Sequence, residues 1–244
     1  MGTNPPSSAP LHRQRAHKVY HKKLATFDIE TRAPTNAPGG NPLYGDICEN
    51  GICLYGNPAA PDQPIATFFH DMTTLLAHLI EQYAGFTIAA HNGAKYEFNY
   101  LLDSLRQLVA SSDRFSVRAI QQGEAIIGYD VTETTTHTLT RGKRAGQTIE
   151  KQRHWHFLDT YPLFNLSLAD VATAFCPDLP KLDGTIDWKT ESWSYAIATH
   201  RAYLTRDCEI VFHAYRALTD NVFDCFGSTL GRTAASTALR ACRA

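Results

Sequence analysis

The run Lys23-Leu24-Ala25-Thr26-Phe27-Asp28-Ile29-Glu30 reads as a β-strand, and what it carries decides the reading of the whole chain. Side chains two apart on a strand leave the same face, so Asp28 and Glu30 point one way from an otherwise apolar segment. Far downstream, Tyr195 to Leu218 has a helical period, and within it Tyr203 and Asp207 lie four apart and share a face. Each half presents oxygen donors in one direction. Either motif alone is weak. A D-x-E triplet arises by chance about once in a chain of this size, and Asp207-Cys208-Glu209 is a second one, whose carboxylates would diverge on a helix.

A third element stands between them. Phe86-Thr87-Ile88-Ala89-Ala90 is a short apolar run of strand length that leads through His91-Asn92-Gly93-Ala94-Lys95 into the amphipathic pattern Tyr96, Tyr100, Leu101, Leu105, Leu108. This is a strand-to-helix junction. It puts His91 and Asn92 at the strand's carboxyl end, where open α/β sheets bind ligands, and Glu97 in the first turns of the helix. Gathering carboxylates without a cation is unfavourable, since two unit charges 4 Å apart repel by roughly 4 kcal/mol at an effective dielectric of 20. Hard divalent cations such as Mg²⁺ take several oxygen ligands and supply the reason to gather them. Two such ions about 3.5 to 4 Å apart stabilise the attacking and leaving oxygens of an in-line phosphodiester displacement, so the pattern predicts nuclease chemistry.

In this order and context the chain resembles the 3′ to 5′ proofreading exonuclease domain of family B DNA polymerases, of the protein-primed kind found in bacteriophages and linear plasmids. The family's D-x-E motif is matched by Asp28-Ile29-Glu30-Thr31. Its His-Asn followed by an aromatic and an acid is matched by His91-Asn92 and Tyr96-Glu97, and its Y-x-x-x-D by Tyr203 and Asp207. Between the last two, the family carries an aspartate before a hydroxyl residue, a Leu/Pro-rich turn, and a lysine near a Gly and Ile-Asp. The corresponding stretches are Phe157-Leu158-Asp159-Thr160-Tyr161, Leu166-Ser167-Leu168 and Lys181-Leu182-Asp183-Gly184-Thr185-Ile186-Asp187. The likeness runs over about residues 24 to 240. Two positions depart from it. The second motif ordinarily ends in Asp, and Glu97 is longer by one carbon–carbon bond of about 1.5 Å; Lys181 precedes Leu182-Asp183-Gly184 instead of adjoining the glycine.

The resemblance implies an α/β fold, a ribonuclease H-like mixed sheet flanked by helices with a β-hairpin insertion. It implies two Mg²⁺ or Mn²⁺ ions held by Asp28, Glu30, Glu97 and Asp207, with Tyr203 orienting the attacking water and Lys181 approaching the scissile phosphate. Thr31, His91, Asn92, Tyr96 and Thr160 would line the cleft for a frayed single-stranded DNA 3′ end, with Tyr96 offering a face for a base, and the product would be a nucleoside monophosphate. The implied partners are that DNA end and a polymerase domain or terminal protein. Two alternatives stay open: a catalytically impaired single-stranded DNA-binding module, and a related exoribonuclease.

Composition agrees with one catalytic domain. At 244 residues and 43% hydrophobic content the chain can bury a substantial α/β core. No apolar run approaches the length of a membrane span, so no membrane partner is expected. The six cysteines form no C-x-x-C pair and read as free thiols; with no secretory signal, an intracellular, cytoplasmic setting is expected and the sequon Asn165-Leu166-Ser167 reads as chance. His154-Trp155-His156 fits a strand edge better than a zinc site. A net charge of -1 is not the footprint of a strong duplex binder.

Residues 1–22 are Pro/Ser-rich and then basic, and read as a disordered tail before a domain over 23–225. Residues 226–244 read as a truncated linker toward a polymerase palm, whose S-L-Y-P-like and D-T-D motifs do not occur, so a polymerase fragment is expected. Punctuation predicts a Pro/Gly loop over 33–42, then strands Ile47 to Leu54 and Ile65 to Phe69 in an antiparallel meander. Asp71 fits an N-cap for a helix from Met72 to Tyr83. A helix from Lys95 to Val109 leads to a hairpin-like region, Phe115 to Phe157, with a polar tip from Thr132 to Gln147. Helices from Ser167 to Phe175 and Tyr195 to Leu218 would close the sheet.

Overall fold

The computed structural model describes residues 23–31, 46–182 and 198–243. The expected N-terminal tail, the Pro/Gly loop, the Asp183 to Asp187 half of the lysine motif and the first residues of the Tyr195 helix lie outside these.

β1 (Leu24–Thr31) takes the alternation that its sequence dictates: Ala25, Phe27 and Ile29 are buried on one face, while Leu24, Thr26, Asp28 and Glu30 face the other. It pairs antiparallel with β2 (Ile47–Gly56), and β2 with β3 (Ile65–Phe69), as the meander pattern predicts. On its other side β1 pairs in parallel with β4 (Thr87–Ala90). The expected hairpin region is β5 (Phe115–Gln122), β6 (Ala125–Thr138) and β7 (Thr148–Asp159). β7 lies beside β4 and parallel to it, so this region continues the sheet and does not stand apart from it. The result is a seven-stranded mixed sheet in the order β3-β2-β1-β4-β7-β6-β5. β5 accompanies β6 only as far as the Phe115–Glu133 pair; beyond it β6 and β7 form a two-stranded, polar arm.

Helices cover both faces. On the first, α1 (Met72–Gln82) and α2 (Glu97–Ser111) bury Leu75, Leu79, Phe98, Leu101 and Leu105 against Phe27, Ile52, Ile88, Trp155 and Phe157. Trp155 Nε1–H donates to the Leu79 carbonyl at 2.9 Å and the Tyr129 hydroxyl to that of Phe98 at 3.3 Å, so the buried aromatics keep their polar tips satisfied. Asp71 caps α1 as expected, its carboxylate accepting from Thr74 N at 2.7 Å. Two short helices follow β7: α3 (Tyr161–Phe164) and α4 (Leu168–Phe175), the latter capped by Ser167. On the second face α5 (Ala198–Phe226) lays Leu204, Cys208, Val211, Phe212 and Tyr215 on Leu24, Cys53, Ala89 and Leu158. α4 packs along its flank at Ile210 and Ala214.

A side-chain hydrogen bond sets the register of α5 on the sheet: Thr26 Oγ1 donates to the Cys208 carbonyl at 2.9 Å. Thr26 is two residues from Asp28, and Cys208 is next to Asp207.

The stretch expected as a linker is fastened to the domain. After α5, Leu230 is 2% exposed and α6 (Ala234–Cys242) follows a Thr233 capping box. Arg232 crosses β6 at Gly128, where a Cβ would lie 2.9 Å from its Nη1. The guanidinium donates to the Phe157 carbonyl at 3.1 Å and to Asp130. Burial pushes the Asp130 carboxyl up, but His156, Arg118 and Arg232 around it win and hold it well below the usual range. All six cysteines are free, four of them buried. No helix among the described residues is long and apolar enough to cross a membrane.

Candidate active site

The topology brings together the carboxyl ends of β1, β4 and β7, the first turn of α2 and the middle of α5. Asp28 and Glu30 leave β1 toward α5, where Asp207 is 6% exposed. Glu97, at the start of α2, is 4% exposed, and its carboxyl shares a hydrogen bond with that of Asp28. Lys181 reaches in from the segment after α4: its Nζ donates to Asp207 Oδ2 and stands 4.8 Å from the centroid of the Tyr203 ring. The lysine whose register departs from the family pattern thus meets the aspartate of the last motif. Asp207 and Tyr203 present the same side of α5, as their spacing predicts.

These groups act on one another electrostatically. Burial raises the Asp28 carboxyl to about 6, and the charge of Asp207 adds to the rise against the Glu97 hydrogen bond and Lys181. Glu30 is raised to about 8 by burial, then by the charges of Asp28 and Asp207. Burial and the neighbouring Asp28 put Glu97 well above the usual range. Asp207 is raised by burial despite Lys181. Burial raises the Tyr203 phenol, and Asp207 adds to it, so the phenol stays protonated near neutral pH. Burial disfavours the Lys181 ammonium, but the Asp207 charge and hydrogen bond outweigh that and keep it charged. Among the described residues these four acids face the Lys181 ammonium, with Arg206 acting on Asp207 as well, and the cluster is short of positive charge.

A divalent ion would suit this deficit in donor chemistry. All four acids offer hard oxygen, and Glu97 Oε2 and Asp207 Oδ1 are buried with no hydrogen-bond partner. Among the described residues, no three acid, histidine or cysteine side chains are gathered tightly enough to hold an ion as they stand. The reason is visible: Asp28 and Glu97 hold each other, and Lys181 holds Asp207.

The expected cleft residues divide into two kinds. Tyr96 is 52% exposed and presents an open ring, and Thr31, at the end of β1, is partly exposed. His91 is anchored: Nε2 lies 3.1 Å from the Leu166 carbonyl and Nδ1 3.0 Å from Thr160 Oγ1. A carbonyl only accepts, so Nε2 carries the proton in the neutral ring, the form that burial favours. Thr160 is fully buried, with its hydroxyl 3.2 Å from the Ala90 carbonyl, so it supports His91 and does not form cleft surface. Asn92 holds a left-handed φ of 65°, its N–H directed at Asp159. Sequence reasoning did not name Thr26 or Asp159 as site residues. Asp159 stands in the aspartate–hydroxyl motif and was legible there; Thr26 carries no signal beyond a hydroxyl in an apolar strand.

No protein-family model matches the chain, and no curated protein sequence matches it. Solved structures do. Phi29 DNA polymerase in complex with primer-template DNA and incoming nucleotide superposes with a TM-score of 0.62 at 16% identity, covering 89% of this chain and 33% of that one. The same polymerase complexed with single-stranded DNA gives 0.59 at 16% identity, covering 89% and 34%. This chain spans about a third of the length of the structures it matches, and at this identity the likeness establishes the shared fold.

Proposed function

We propose that this chain is a metal-dependent 3′ to 5′ exonuclease of the proofreading type, acting on single-stranded DNA ends and related to the exonuclease part of protein-primed family B polymerases. The observation that carries the reading is the meeting of Asp28, Glu30, Glu97 and Asp207, remote in sequence, in one partly buried patch beside the Lys181 ammonium. The fold shared with a DNA polymerase supports it.

Asp28, Glu30, Glu97 and Asp207 would hold two Mg²⁺ or Mn²⁺ ions. When bound, such ions polarise the phosphodiester and stabilise the attacking and leaving oxygens. The chain's own groups do the rest. The Tyr203 phenol stays protonated and donates a hydrogen bond that orients the attacking water. The Lys181 ammonium, which donates to Asp207 beside Tyr203, would offset the charge of the scissile phosphate. Tyr96 offers its exposed ring to a terminal base, a contact worth roughly 1 to 3 kcal/mol. Anchored His91 and Asn92 shape the wall beside it. A polymerase domain or terminal protein as partner belongs to the same proposal.

A second reading, a strand-binding module without turnover, has one observation in its favour: the Asp28–Glu97 hydrogen bond closes the carboxylates on each other where the related pattern has the shorter Asp. Incubating the chain with a 5′-labelled single strand and Mg²⁺ or Mn²⁺ decides between them. A ladder of shortened products is expected, and retention of an intact strand would establish the second reading. Parallel DNA and RNA strands test the sugar; faster RNA shortening would replace the DNA assignment.

A further inference from the structure

Asp159 ends β7 opposite Ala90, the last residue of β4, and is 2% exposed. Its carboxylate accepts three backbone N–H groups from two different loops. Oδ1 takes Asn92 N at 2.8 Å and Tyr161 N at 2.8 Å, and Oδ2 takes Ala94 N at 3.0 Å. No nucleic-acid or metal role is needed to explain its burial, since both oxygens are spoken for. What these bonds fix is informative. They hold the β4–α2 loop in the turn that places Asn92 in left-handed backbone, a conformation unusual for a residue with a side chain. Three residues beyond Ala94 the chain delivers Glu97, and the charge of Asp159 also acts on Glu97.

We infer that Asp159 is a positioning residue: a buried anion that clamps the loop between β4 and α2 and thereby sets where Glu97 meets the other carboxylates. The geometry leaves no substitute. Asn at this position keeps one acceptor oxygen and turns an NH₂ toward an N–H, so either Ala94 N or the pair Asn92 N and Tyr161 N loses its partner. Glu keeps the charge but carries it about 1.5 Å further along the side chain. The claim about the loop stands on the hydrogen bonds alone; the claim about Glu97 as an ion ligand rests on the function proposed above.

Two measurements on the full chain separate these. In Asp159→Asn, amide hydrogen exchange is expected to accelerate about 10-fold or more at Asn92 or at Ala94, whichever is left facing the NH₂, while Ile88 and Phe157 in the adjoining strands stay protected. Glu in place of Asn gives the same readout should the Asn variant fail to fold. Unchanged exchange at Asn92 and Ala94 in a folded variant overturns the clamp. Mn²⁺ titration followed by electron paramagnetic resonance reads the second step. The binding midpoint is expected to rise about 10-fold or more in Asp159→Asn, and to rise no further when the same change is made in Glu97→Gln. A rise of equal size in both backgrounds overturns positioning through Glu97. Absence of Mn²⁺ binding to the unmutated chain would remove the proposed metal site and with it the Glu97 step, and would leave the clamp to be decided by exchange.

Discussion

Replacing Glu30 with Gln should stabilise the metal-free protein at high pH and destabilise the metal-loaded one. The folded protein raises the Glu30 carboxyl from 4.5 to about 8, first by burial and then through the charges of Asp28 and Asp207. A carboxyl that holds its proton more tightly when folded adds stability below its unfolded value, and that stability is lost as pH climbs to the folded value. The window therefore runs from 4.5 to about 8. At about 1.4 kcal/mol per pH unit, its full width corresponds to about 5 kcal/mol. Glu30 is only partly buried by surface area, and its charge is screened and shared with its neighbours, so on the order of 2 kcal/mol is the reasonable share. Gln carries no charge at any pH and so escapes this loss. In a chelator above the upper limit, thermal unfolding of Glu30→Gln should lie about 4 to 8 °C above that of the parent chain, with the two converging below the lower limit. Saturating Mg²⁺ should reverse the order, since an ion bound by the native state alone stabilises by mass action and the amide is a poor ligand. The reasoning fails if the two proteins melt together at high pH in chelator, for then Glu30 is not under strain from its neighbours.

Asp28→Ala and Asp207→Ala should each lower cleavage of a labelled strand by about 100-fold or more with the fold retained by circular dichroism; an intact rate in either removes that residue from the site. Tyr203→Phe should lower turnover by about 10-fold or more while single-strand affinity, read by anisotropy, holds; equal losses in both would mark a packing role. Glu97→Asp breaks the bond to Asp28 and should preserve or raise activity, and a large loss would show that the site is built around Glu. Thr26→Val removes the strand's hydrogen bond to the Cys208 carbonyl, which keeps its helical partner, so denaturant unfolding should show a loss of about 1 kcal/mol.

Much of the architecture was legible because its signals are local. The alternation in β1, the N-caps Asp71 and Ser167, and the apolar run into β4 each specify an element without reference to anything distant. The β region after α2 was harder. Phe115 to Phe157 reads as a hairpin because its strands are polar on one side, yet β7 is nearly central in the sheet. Its exposed half, from Thr148 to His154, lies mostly on the arm and conceals the buried half, Trp155 to Asp159, from any average over the segment. The tail after Phe226 read as a linker for a related reason: Leu230 and Arg232 help anchor it, and no periodicity announces such contacts.

The carboxylates were legible for a different reason, and the difference bears on how the site works. Acids in apolar runs violate the pattern that surrounds them, so Asp28, Glu30 and Glu97 stand out wherever a sequence is read for burial. The groups that hold them in place do not. Thr26 bonds to a carbonyl 182 residues away, and Asp159 to backbone groups 65 and 67 residues away. Each is an ordinary polar residue at the end or in the middle of a strand. A site of mutually repelling charges cannot hold its own geometry, because each charged pair among Asp28, Glu30 and Asp207 pushes apart. Its geometry must come from neutral or saturated contacts outside the cluster: the threonine that registers α5 on β1, and the aspartate whose charge is spent on three amides. That division explains why changes at Thr26 or Asp159 should impair the site by misplacing it and also weaken the fold, whereas Glu30→Gln should impair it and stabilise the metal-free fold.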